Sequence, residues 1–146
     1  MLDGEIGRQL LAGAERFRLR GLAFYDAGSR SFYTRDRPVR SPADLAGLKI
    51  RTQESSTAMA MVSALGGAAT PVAWGELYTA LQQSVVDGAE NNPPRFHLSR
   101  HYEVARYYAL DEHTRVPDVV LVSTVVWNEL EPRHMARGRR RRVGEL

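Results

Sequence analysis

The chain has no cysteine, which excludes disulfide staples, thiol nucleophiles and cysteine metal sites. The redox compartment stays open on that count. Lysine is almost missing as well, since Lys49 stands alone among twenty basic residues. So one-sided a use of arginine points to GC-rich coding rather than to a basic binding surface. There is no long apolar run. The longest, Val119 to Trp127, is broken by Ser123 and Thr124. It falls well short of the roughly 20 residues of a membrane span, so direct membrane insertion is not expected. The first residues, Met1-Leu2-Asp3-Gly4-Glu5-Ile6, lack the basic and apolar regions of a secretory signal. Metal-binding motifs are missing too. His97 and His101 are spaced i,i+4, but Leu98, Ser99 and Arg100 lie between them and no H-E-x-x-H pattern forms. The alternative reading is a solvated helix face. The tyrosines make no stripe beside basic residues, so single-strand nucleic-acid stacking is unsupported.

What is present is ordinary for a soluble globular protein, at 43% hydrophobic and 25% charged over 146 residues. That length suits one domain or a large piece of one. The net charge of +3 is unevenly placed. Residues 131–146 hold six Arg and two Glu, so this stretch carries +4 and the remainder −1. The body is nearly neutral.

Helical and extended patterns alternate, which predicts an α/β architecture. Asp3 to Phe17 reads as an amphipathic helix capped by Asp3, with Ile6, Leu10, Leu11, Ala14 and Phe17 on its inner face. Gly21–Tyr25 and Ser31–Thr34 read as strands. Ser41-Pro42-Ala43-Asp44 starts a short helix stopped by Gly47. Leu48 to Arg51 is a strand, and Ser55 or Ser56 caps a helix running to Leu65. Trp74–Gln83 is helical, Val85–Gly88 is a strand ending in a turn, and Pro93–Tyr102 is helical. Val119–Val125 reads as a buried strand.

Two places carry candidate chemistry. Arg51 ends an apolar strand, and ligands of open α/β sheets bind beyond the carboxyl ends of strands. An arginine there can clamp a carboxylate with two parallel charge-assisted hydrogen bonds, or simply make a surface salt bridge. Asn91-Asn92-Pro93-Pro94 offers amide donors and acceptors for hydroxyls and carboxylates, or ordinary turn and cap chemistry. Gln53 could face the same pocket as Arg51 or be an exposed strand end. Glu76 and Glu90 lie near both, with no nucleophile or activated base beside them. A structural role, or a contact to an arginine, suits them better than acid–base work.

The ordered segments Leu45-x-Gly47-Leu48-Lys49-Ile50-Arg51, Gly66-Gly67, Thr70-Pro71-Val72-Ala73-Trp74-Gly75-Glu76-Leu77-Tyr78 and Val86-Asp87-Gly88-Ala89-Glu90-Asn91 resemble the DctP-type solute-binding proteins of TRAP (tripartite ATP-independent periplasmic) transporters. The likeness runs from about Leu2 to about Pro132. It implies a type II periplasmic-binding-protein-like clamshell, here mainly the second lobe with hinge segments. Residues 1–132 would be a partial solute-binding domain. It also implies a binding protein rather than an enzyme, with no cofactor and no metal. Its ligand would be a small organic acid, a sugar acid or a C4-dicarboxylate. Its partners would be TRAP permease subunits driven by a sodium gradient, and its place the periplasm. Residue by residue, the family's carboxylate-binding Arg falls on Arg51 and its Asn on Asn91, forty residues on. A second Arg falls on Arg30, an aromatic that packs on the ligand's carbon skeleton on Trp74, and a His near the site on His113. The Asn91-Asn92 pair and Trp74 lean toward members that take sugar acids.

The resemblance also implies that this chain starts at an interior position of the family's length and carries no export signal. Residues 133–146 are expected to be disordered or out of frame. A lobe on its own should expose apolar edges and be marginally stable. Three other readings stand beside this one. The first is a non-functional fragment of the same family. The second is an anion or nucleic-acid binder acting through the arginine stretch, which the −1 body does not support. The third is an enzyme, for which no nucleophile or metal site is found.

Overall fold

The computed structural model describes residue 2 and residues 4–130. In chain order its strands are β1 (Leu19–Tyr25), β2 (Ser29–Thr34), β3 (Lys49–Thr52), β4 (Ala68–Pro71), β5 (Gly88–Asn91), β6 (Tyr107–Tyr108), β7 (Thr114–Arg115) and β8 (Asp118–Ser123). The helices are α1 (Glu5–Ala12), α2 (Ser56–Ala64), α3 (Leu77–Gln82), α4 (Pro93–Leu98) and α5 (Thr124–Glu129). Short 3-10 turns cover Gly13–Phe17, Pro42–Leu45, Trp74–Glu76 and His101–Glu103. The chain divides into two compact units, residues 28–115 and the two flanking segments.

The 28–115 unit is built on a mixed sheet in the order β4-β3-β5-β2-β6, with β7 also on β2. β3 runs parallel to β4 and β5, whereas β2 is antiparallel to β5. Directly paired residues share a face, so Tyr33, Ala89 and Arg51 form one row. Phe32 and Glu90 lie on the opposite face. Each face has its own core. Tyr33 and Ala89 pack with Leu77, Ala80 and Leu81 of α3 and with Val86 and Ala105. Phe32 and Ile50 pack with Leu45 and with Val62 of α2. Leu48 to Arg51 alternates apolar and charged residues, yet Ile50, Arg51 and Thr52 are all buried because the sheet is covered on both sides.

Local chemistry sets the element ends. Ser41 and Asp44 form a capping box around the Pro42–Leu45 turn, and the Ser55 hydroxyl accepts from Ala58 N to start α2. Gly47, at φ +77°, makes the left-handed turn into β3. Gly88 sits where β5 passes between β3 and β2. A Cβ there would lie 2.5 Å from the Tyr33 carbonyl oxygen and 2.8 Å from Thr34 Cγ2.

The flanking unit pairs β1 with β8 antiparallel, from Leu19↔Ser123 to Tyr25↔Asp118. Here the sequence expectation needs correcting. Val119, Val120 and Leu121 are 40–46% exposed, so β8 is not a buried strand. Among the described residues β8 pairs only with β1, and a two-stranded ribbon buries little. The same correction applies to the first helix. Ile6, Leu10 and Phe17 are exposed, and α1 stops at Ala12 before a 3-10 turn ended by left-handed Arg18. The cap expected at Asp3 and the stretch 133–146 lie outside the described residues. No helix among the described residues is long and apolar enough to cross a membrane.

Two further boundaries moved. Val85-Val86 reads as a strand, but Val86 is a buried approach residue and the strand is Gly88–Asn91. Asn91 therefore ends a strand instead of following one. The helix expected over Pro93–Tyr102 ends at Leu98, because Arg100 takes a left-handed conformation at φ 57°.

Candidate functional site

Arg51 lies one residue before the end of β3 and is almost fully buried, at 2% exposure. Its Nε donates to the Val72 carbonyl oxygen at 2.8 Å, and its guanidinium carbon lies 5.5 Å from the Trp74 ring centre. Nη1 is buried and has no hydrogen-bond partner among the described residues. Burial lowers its pKa below the ordinary arginine value, with Tyr33 and Glu90 opposing and Arg30 adding to the lowering. Arginine still keeps its proton in proteins. The geometry thus holds a cationic donor inside the protein fold, short of one partner.

Trp74 comes from the turn after β4 and is 39% exposed. Its ring centre lies 5.3 Å from that of His101. His101 is itself 2% exposed, and its Nδ1 meets the Tyr33 hydroxyl at 2.8 Å. This corrects the expectation of a solvated helix face carrying His97 and His101. The left-handed break at Arg100 separates them, leaving His97 exposed and His101 turned inward. Burial first, then the Arg51 charge, lowers the His101 pKa below its ordinary value near 6.5. Burial pushes the Tyr33 phenol far above its usual range. Both are therefore neutral near pH 7.

The other sheet face carries an ion-pair network. Both Arg30 Nε and Nη2 donate to the buried Glu90 carboxylate, the latter at 2.7 Å, and Nη2 also reaches the Glu90 carbonyl at 3.1 Å. Arg30 Nη1 donates to Asn91 Oδ1 at 3.2 Å. Glu90 thus contacts an arginine, as its setting in the sequence suggested. His113 stacks on Phe32, with ring centres 4.1 Å apart, and its Nδ1 pairs with Asp111 Oδ2 at 2.7 Å. Its Nε2 is buried without a hydrogen-bond partner, 3.8 Å from Glu90 Oε2. Asn91 links the two faces: it ends β5 on the Arg51 side, and its Oδ1 accepts from Arg30 and from Asn92 N.

Arg51, Asn91 and Asn92 thus fall at or beside the carboxyl ends of β3 and β5, Arg30 near the start of β2, Trp74 in the turn after β4 and His113 just before β7. Asn92 is buried, and its Oδ1 accepts from Arg95 N, so this oxygen caps α4. Gln53 is the outlier. It is exposed past β3, and no described contact ties its side chain to Arg51. Sequence reasoning missed the Val72 carbonyl, Tyr33 and His101. A backbone acceptor leaves no mark in residue types. Tyr33 is brought beside Arg51 by sheet pairing through Ala89, and His101 joins them through Tyr33 and Trp74. Among the described residues no cluster of three or more His, Asp or Glu could hold a metal ion.

An α/β unit with a buried arginine donor at the end of a parallel strand is what a protein that captures carboxylates requires. The chain belongs to the family described as bacterial extracellular solute-binding protein, family 7 (DctP), whose pattern matches residues 1–136. It is 42% identical over 130 residues to a solute-binding protein of Chromohalobacter salexigens, covering 89% of this chain and 39% of that one. Two solved TRAP periplasmic solute-binding proteins superpose on it closely. One, from a Bradyrhizobium species in complex with galacturonate, has TM-score 0.88 and 47% identity, covering 97% of this chain and 47% of that one. The other, from Chromohalobacter salexigens with bound D-glucuronate, has TM-score 0.89 and 40% identity, covering 95% and 46%. The expected periplasmic-binding-protein-like α/β fold is borne out, and the chain spans about two-fifths to one-half of the length of these relatives.

Proposed function

We propose that this chain carries the carboxylate-anchoring part of the solute-binding component of a TRAP-type transporter, and that its ligand is a sugar acid of the uronate kind. The observation that carries the reading is Arg51, a buried guanidinium with one nitrogen lacking any described partner. A ligand carboxylate would complete its hydrogen bonding. Trp74, half-exposed beside that guanidinium, would pack on the carbon skeleton of the sugar. Asn91 would help to position the same carboxylate, while Arg30 and His113 would act from the Glu90 side. The uronates held by the two solved relatives support a sugar acid over a C4-dicarboxylate. Binding would proceed without catalysis, in the periplasm, with delivery to TRAP permease subunits and with no cofactor.

Calorimetric titration of the chain with D-galacturonate, D-glucuronate, succinate and neutral galactose tests the proposal. Uronates should bind and galactose should not. Arg51→Lys should weaken uronate binding, because an ammonium cannot supply the planar fork. Equal binding of galactose, or unchanged affinity in Arg51→Lys, would overturn it.

A further inference from the structure

The ring of His101 packs among the aromatic side chains beside Arg51. Its ring centre lies 5.3 Å from Trp74, 5.6 Å from Tyr33 and 6.5 Å from Tyr78, and its Nδ1 is bonded to the Tyr33 hydroxyl. Trp74 in turn lies against the Arg51 guanidinium. The contacts run in one line: Tyr33, His101, Trp74, Arg51. The geometry points to His101 as a positioning residue for the carboxylate site. It holds the Trp74 ring against Arg51, and it gains a proton more readily once an anion neutralises Arg51. The inference rests on the carboxylate-binding reading above.

The Tyr33 hydroxyl can donate to a bare Nδ1 or accept from Nδ1–H, so this 2.8 Å bond holds the ring in either protonation state. Protonating the ring makes Nδ1 the donor and turns the phenol hydrogen away. The groups packed around the imidazole are few. Tyr33 comes from β2, Trp74 from the turn after β4 and Tyr78 from α3. In its own turn Glu103 accepts from the Tyr78 hydroxyl and pairs with Arg100. The only charge that acts on His101 strongly enough to register is Arg51, while Glu90 and Arg30 act on Arg51 and Tyr33. No carboxylate of the protein touches the imidazole among the contacts described, so a ligand carboxylate on Arg51 would be the first nearby charge to favour its protonation.

Imidazole NMR titration of the chain reads this directly. In the free wild type, His101 should titrate below the ordinary histidine value near 6.5. In Arg51→Gln, with the cation removed, the His101 midpoint should move up. Adding D-galacturonate to the wild type should raise the His101 midpoint and leave Arg51→Gln unaffected. Uronate affinity should then rise as pH falls through that window, about tenfold for each unit the midpoint is raised. His101→Asn, which can still pair with the Tyr33 hydroxyl, should flatten the profile. If galacturonate perturbs nothing at any pH, the uronate reading fails, and the free-state comparison still judges His101. An unchanged His101 midpoint in Arg51→Gln overturns the coupling. So does a His101→Asn variant that keeps the wild-type pH profile of binding.

Discussion

Replacing Arg51 with methionine should weaken binding and leave the unliganded protein no less stable. Arg51 is 2% exposed, makes one hydrogen bond, to Val72 O, and buries Nη1 without a described partner. Glu90, the acid that acts on it, is already bonded to Arg30. Losing the charged bond to Val72 O costs about 1.5–3 kcal/mol, and removing an unsatisfied buried donor returns about 1–3 kcal/mol. Apolar burial of the methionine adds about 1–2 kcal/mol. The balance runs from about 1 kcal/mol lost to about 3.5 kcal/mol gained, with a gain of about 1 kcal/mol at its centre, as seen when buried charges are replaced by apolar residues. In a domain of this size that central gain is a rise in Tm of about 2–4 °C. Binding should move the other way. Losing one partner of a buried ligand charge pair costs about 2–5 kcal/mol, or roughly thirty-fold to a few thousand-fold in affinity. Urea unfolding followed by tryptophan fluorescence reads the first quantity, and calorimetry with D-galacturonate reads the second. A variant that loses several kcal/mol of stability while binding normally would refute the reasoning, because Arg51 would then be a fold residue.

Gly88→Ala should destabilise the chain by about 1–3 kcal/mol, since the added methyl meets the Tyr33 carbonyl at 2.5 Å inside the sheet. A chemical denaturation midpoint within error of the wild type would contradict that packing. The Tyr33 phenol is raised by burial above its ordinary value near 10. Its contribution to stability is therefore complete below that value and is lost as pH rises above it. Urea midpoints between pH 8 and 11 should fall above about pH 10. Tyr33→Phe should fall less steeply, and parallel curves would remove Tyr33 as the cause.

Much of the 28–115 unit is written locally. The Ser41 and Asp44 box, the Ser55 cap and Gly47 are short-range chemistry, and each falls where the residue types place it. Arg51 was legible for the same reason, as a charge closing an apolar strand. The misreadings share another cause. Gly88–Asn91 has poor strand propensity and is a strand because β3 and β2 flank it. Val119 to Leu121 looks buried by composition, but burial needs a covering layer, which β1 alone does not provide. His101 follows a left-handed arginine where glycine would be the usual marker, so the turn that sends it inward leaves no trace in the sequence.

Asn91 has a consequence beyond holding Arg30. Its oxygen already takes protons from Arg30 Nη1 and from Asn92 N, so rotating the amide by half a turn would set NH2 against two donors. The amide is thereby polarised in one sense, and what it has left to offer is N–H. Arg51 can offer nothing else. A ligand that engages both must present lone pairs at both points. The proposed site would then distinguish a uronate from its amino-sugar counterpart by polarity alone, before size or shape came into play.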